Sequence, residues 1–165
     1  MLSPLSSHKR FIAHIVLDNF IDYFHFIDSC NKPLNQIESY KQLRLFINAI
    51  ESANNIPEYF FHDVKDKYNW KKEDLRNVLG GIRKKHKILR DIEQISNAYK
   101  HCVRNNKSDL QADDLESSSM FIHIVDGNMK IQYKYESIAC EDIINKAFKF
   151  WYEYHNNSDE TILAP

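Results

Sequence analysis

The sequence predicts a mainly α-helical bundle of about five helices with one two-stranded antiparallel β-hairpin before the last helix, and three observations predict it. Apolar residues recur at helical spacing over most of the chain. Only between 120 and 136 does the period switch to two, the spacing of a half-buried strand. With 165 residues, 43% of them hydrophobic, and only 3 Gly and 4 Pro, there is material for one sizeable core and little for disorder. One domain over 1–165 is therefore expected.

The elements follow in order. A first helix over about 8–29 is capped by Ser6 or Ser7, with Ile12, Ile15, Val16, Phe20, Tyr23, Phe24 and Ile27 at helical spacings. Asn35 and Glu38 have the spacing of a capping box, so a second helix runs over 35–53, burying Ile37, Tyr40, Leu43, Phe46, Ile47 and Ile50. Asn54-Asn55-Ile56-Pro57 reads as a turn, and Pro57 suits the first turn of a third helix over 57–68. Asn69 can cap the next pattern, 70–80, which pauses at Gly80-Gly81 and resumes over 82–104, because a glycine costs about 1 kcal/mol inside a helix. The polar stretch 105–119 reads as a loop. Met120 to Val125 and Met129 to Tyr135 alternate about Asp126-Gly127-Asn128, giving the hairpin over 120–136. Two strands alone are marginal in water, so the hairpin must lean on the helices or on another chain. Ser137 caps a final helix over 138–155 with Ile144, Phe148 and Trp151 as its core stripe. Ala147, Phe150 and Tyr154 widen that stripe beyond one face, which points to burial on two sides or a dimer interface. The tail 156–165 reads as frayed.

Composition narrows the function classes. No apolar run approaches the ~20 residues of a membrane span, and Met1 to Arg10 lacks the pattern of a secretory signal. Cys30, Cys102 and Cys140 stand singly, as core thiols in a reducing compartment do. A cytoplasmic protein without membrane contact is expected. The net charge of -1 hides a basic segment: between Lys65 and Arg90 there are ten Lys and Arg against Asp66, Glu73 and Asp74. Such a stripe is either a solvated helix face or a phosphate-gripping surface, with Lys71, Lys72, Arg83, Lys84, Lys87 and Arg90 as its candidate RNA contacts.

Candidate chemistry is confined to one stretch. Arg90, Gln94, Asn97, His101 and Arg104 succeed one another at four, three, four and three residues, which places them on one face of a helix. Leu89, Ile92, Ile95, Tyr99, Cys102 and Val103 supply the apolar stripe beside it. A histidine titrating near neutrality serves as general acid or base when a neighbour orients it, and Asn97 lies one turn from His101. The alternative is a histidine and an amide that bond the fold from inside.

Asn97-Ala98-x-x-His101 on a helix of a small α-helical domain resembles the HEPN superfamily, helical-bundle domains that include metal-independent ribonucleases of toxin-antitoxin and phage-defence systems. The resemblance implies that Asn97 stands for the family's polar residue and His101 for its histidine. It implies an arginine holding the scissile phosphate where this chain has Ser96. Arg104 is the best substitute, three residues past His101 and about 5 Å along the axis, whereas Arg90 lies about 16 Å away.

Other chemistry finds no support. There is no His-Glu-x-x-His, no Cys-x-x-Cys, no phosphate-cradling glycine loop and no nucleophile elbow, so neither a metal nor a cofactor is expected. The leading expectation is a non-catalytic or regulatory helical interaction domain, a homodimer or the partner of another protein. The alternative is a homodimeric endoribonuclease using Asn97, His101 and Arg104.

Overall fold

The computed structural model describes residues 3–30, 34–104, 120–125, 128–133, 136–157 and 159–164, with backbone alone for 98–104, 120–125, 128, 129, 131–133 and 136–138. The segment 105–119, read from sequence as a loop, lies outside the described residues. The chain starts with α1 (His8–Phe11), where the Ser7 hydroxyl accepts from the Arg10 N–H at 3.3 Å as an N-cap. A π-helical stretch, Ile12–Val16, leads without a break into α2 (Leu17–Ser29).

α3 (Gln36–Val64) is the central element, packing against α2 and against the helices that follow. Its capping box forms as the Asn35 and Glu38 spacing predicts: Glu38 N–H donates to the Asn35 side chain at 2.9 Å and Asn35 N–H to Glu38 at 2.8 Å. Two expectations are corrected here. The turn at Asn54 to Pro57 does not form, and 36–64 is one helix with Pro57 inside it. A proline in a helix costs about 3 kcal/mol. Ile56, Phe60 and Phe61 are all fully buried around it, and burying each such side chain contributes about 1.5–3 kcal/mol, so packing wins. Ile37 and Tyr40, assigned to the core by spacing, are 80% and 62% exposed. At that end Ser39 and Gln42 turn inward instead, and Gln42 Nε2 donates to the buried Tyr23 hydroxyl at 3.2 Å.

α4 (Leu75–Lys85) runs straight through Gly80-Gly81, another correction, because Val78 and Ile82 anchor it on either side. The break falls at His86, whose backbone is extended (φ −121°, ψ 109°), and α5 (Lys87–Arg104) follows. Nor does Asn69 cap the next helix: it adopts φ 55° beyond the end of α3, and a short 3-10 turn, Lys72–Asp74, precedes α4.

The predicted two-stranded hairpin is also overturned. The segment forms a three-stranded antiparallel sheet in the order β1 (Met120–Val125), β2 (Asn128–Tyr133), β3 (Glu136–Ala139). Val125 faces Asn128 across the first pairing, and Ile131 faces Ile138 across the second. Ser137, read as a helix cap, lies in β3. Four residues are too few to display a period, and the third strand gives β2 a partner on both edges. The last helix, α6 (Cys140–Asn156), starts directly from β3 with Ala139 at its N-cap.

α6 closes the core. Ile143, Ile144, Ala147, Trp151 and Tyr154 are buried, and the extra width of its apolar face is used within the chain: Phe148 meets Phe20 and Phe24 edge-on, and Phe150 meets the His86 ring at 5.1 Å. Among the described residues no helix is long and apolar enough to cross a membrane.

Candidate functional site

α5 divides as its sequence pattern requires. Leu89, Ile92 and Ile95 are buried, whereas Arg90 and Asn97 are exposed and Gln94 half-buried. Ser96 is the exception that matters. It is fully buried, and its hydroxyl accepts from Asn54 Nδ2 on α3 at 3.1 Å. The Asn54 carbonyl oxygen accepts in turn from Arg83 on α4 at 3.3 Å, and Arg83 pairs with Glu93 on α5 at 2.8 Å. One polar chain thus joins three helices. An arginine in place of Ser96 would enter this interior rather than a solvent-facing groove, since nothing of the serine reaches the surface.

Asn97 follows one residue later, turned about 100° around the axis, which brings it out to solvent. His101 and Arg104 continue the Asn97 row along the backbone of α5; their side chains lie outside the described residues. Of the basic candidates, Lys71, Lys72, Lys84, Lys87 and Arg90 are exposed. Arg83 is not available in the same way: its side chain is 17% exposed and bound to Glu93 and Asn54.

A second polar cluster carried no local sequence signal. His8, 2% exposed, sits beneath α3 and α6, with Asp63 Oδ2 accepting from its backbone N–H at 3.1 Å and from its ring Nδ1 at 2.5 Å. Nε2 meets the Tyr154 hydroxyl at 2.9 Å, and Phe60 presents its ring edge-on at 5.2 Å. Burial lowers the His8 pKa despite the pull of Asp63. The ring is therefore neutral, with Nδ1–H donating to the carboxylate and Nε2 accepting from tyrosine. Burial likewise pushes the Tyr154 hydroxyl well above its ordinary range. Both ring nitrogens are engaged, so His8 is a fastener rather than a free base. Beside it Lys9 donates to the carbonyls of Tyr154 and Asn157 at 2.6 and 2.8 Å and lies over the Tyr154 ring. An open cleft of about 530 Å³ flanks this cluster, bordered by Leu5, Ser6, Asn55, Glu58, His62 and Asp63.

The C-terminal residues also depart from expectation. Instead of fraying, Asp159 caps a 3-10 turn, Glu160–Ile162, by accepting from the Thr161 hydroxyl at 2.6 Å and from the Thr161 N–H at 2.9 Å, and these two bonds, the hydroxyl's first, hold its carboxyl below the ordinary range. Leu163 behind it is fully buried. One leucine in a polar tail has no periodicity to reveal it. Burial pushes the Cys140 thiol up to about 12, so it is an inert core group. Among the described residues no group of three His, Cys, Asp or Glu is arranged to hold a metal ion.

No family model matches the chain, and neither a curated protein nor a solved structure matches it.

Proposed function

We propose that this chain is a non-catalytic, HEPN-like helical interaction domain of the kind found in bacterial toxin-antitoxin or phage-defence systems, working in the cytosol with a second copy or another protein. The observation that carries the reading is Ser96: the position that would hold a catalytic arginine is fully buried and bonded to Asn54. Exposed apolar residues support it from the other side. Ile37 and Tyr40 lie three residues apart on one face of α3, where an interaction surface gains from apolar area open to solvent.

The rival reading, a homodimeric metal-independent endoribonuclease using Asn97, His101 and Arg104, draws on the exposure of Asn97 and of Lys84, Lys87 and Arg90 nearby in the chain. Polyanion contact through these cations would weaken steeply with salt. One variant separates the two. In the interaction reading the unaltered protein does not cleave RNA, and His101→Ala changes nothing in that assay. Cleavage by the unaltered protein that His101→Ala abolishes and Arg104→Ala weakens, with the melting temperature unmoved, would overturn the proposal.

A further inference from the structure

The tail lies beside the ends of α3 and α4, and its contacts have the form of peptide recognition. Lys67, just past the end of α3, holds the Glu160 carboxylate at 3.0 Å. Lys85, at the end of α4, donates to the main-chain carbonyls of Thr161 and Ala164 at 3.2 and 3.0 Å. His86 Nε2 donates to the carbonyl of Ile162 at 2.7 Å. Leu163 is fully buried as part of the hydrophobic core. Carbonyl contacts hold any peptide in this shape, whereas a carboxylate partner and a leucine socket three residues apart select its sequence.

The two sides of this contact are built independently. The turn is made by the tail's own bonds, Leu163 N–H to Glu160 O and Ala164 N–H to Thr161 O, both at 3.1 Å, together with the Asp159 cap. The seat is made by helix ends, with Phe150 of α6 braced against the His86 ring. Only Leu163 is fully buried in the contact. The Lys67 side chain is 62% exposed, and exposed ion pairs hold weakly. The tether to the end of α6 adds to these contacts by giving the tail a local concentration on the order of millimolar.

Resting on the interaction-domain reading, we propose that this seat is a docking site for an acidic peptide of a partner protein, one with an acidic residue three positions before a leucine, and that the chain's own tail is its built-in competitor. The partner's segment repeats the Glu160 and Leu163 contacts and displaces the tail.

A labelled peptide with the sequence of residues 157–165 tests this against the full chain. Leu163→Ser removes the tail's one fully buried anchor and frees the seat, so the folded variant binds the peptide at least tenfold more tightly than the unaltered chain. Adding Lys67→Ala, which takes away the partner of the peptide's acidic residue without creating a new pair for the tail, weakens that binding severalfold. The inference is overturned if the folded Leu163→Ser chain binds no more tightly than the unaltered one, or if a peptide with serine at the position of Leu163 binds equally well. It is also overturned if a uridine oligonucleotide takes the freed seat more tightly than the peptide, which would make it a polyanion site. Failure of the wider interaction reading shows elsewhere, as His101-dependent RNA cleavage, which this titration does not measure.

Discussion

The His8 cluster and the Ser96 chain both tie α3 to its neighbours through buried polar groups, but they are built from different chemistry. His8, Asp63 and Tyr154 bring together residues 55 and 146 positions apart and centre on an imidazole that burial keeps neutral by lowering its pKa. Ser96, Asn54, Arg83 and Glu93 have at their centre a buried hydroxyl and a half-buried amide, groups that do not titrate. The first thus has a titratable ring at its centre and the second does not. A buried polar residue near a motif is therefore no sign of chemistry by itself: what counts is whether a titrating atom is left without a partner, and His8 leaves none.

The largest effect should come from removing the support beneath the His8 cluster. Trp151 is fully buried and meets the Tyr154 ring edge-on at 5.9 Å. Trp151→Ala should cost about 3–5 kcal/mol in denaturant unfolding. Trp151→Phe should cost much less, because among the described residues the indole N–H has no acceptor to lose. A loss below about 0.5 kcal/mol for the alanine variant would place Trp151 outside the core.

Next comes the cluster itself. His8→Ala leaves the buried Tyr154 hydroxyl and one face of Asp63 without partners and should cost about 2–3 kcal/mol. The pH dependence carries a definite sign. The folded-state pKa of His8 lies below its ordinary 6.5, so as pH falls below 6.5 the unfolded chain takes up a proton that the folded chain refuses. Stability from this group is complete above 6.5 and is lost as pH falls from there towards the lowered value. Burial also lowers the pKa of His155, which adds a slope in the same direction. Unfolding measured from pH 8 to 5 should therefore show a decline that is shallower in His8→Ala; equal slopes would contradict a neutral, buried ring.

The smallest effect concerns the helix that delivers Arg83 to the second cluster. A Cβ built at Gly80 meets nothing within 4 Å, and the residue sits inside α4. Gly80→Ala should raise stability by about 0.5–1 kcal/mol without altering the Arg83–Glu93 pair. Destabilisation would contradict the open space around Gly80 within α4.

Some of this was legible in the sequence, and the pattern of success has a physical basis. The stripe Leu89, Ile92, Ile95 is long and periodic, and it is buried as its spacing requires. The basic residues of 65–90 could be counted, but not sorted into Lys84, which is exposed, and Lys67 and Lys85, which grip the tail. Local signals misled wherever packing outweighed them: Pro57 and Gly80-Gly81 break helices in isolation, yet each costs less than the burial around it contributes. Ile37 and Tyr40 follow the helical period, but on those turns of α3 the inward face is taken by Ser39 and Gln42. The Leu163 contacts and the His8 cluster depend on partners distant in sequence, and no window along the chain contains both halves of them; β3 pairs with the neighbouring β2, but its four residues are too few to display a period.

Ser96 is the residue on which the non-catalytic reading turns, and Ser96→Arg probes it most directly. Thermal or denaturant unfolding of this variant, with an RNA cleavage assay on the same sample, gives two readouts from one substitution. The account predicts a loss of roughly 3 kcal/mol or more, because a guanidinium is forced into a filled interior beside Asn54, and no gain of cleavage. A variant that keeps its stability and begins to cut RNA would contradict it.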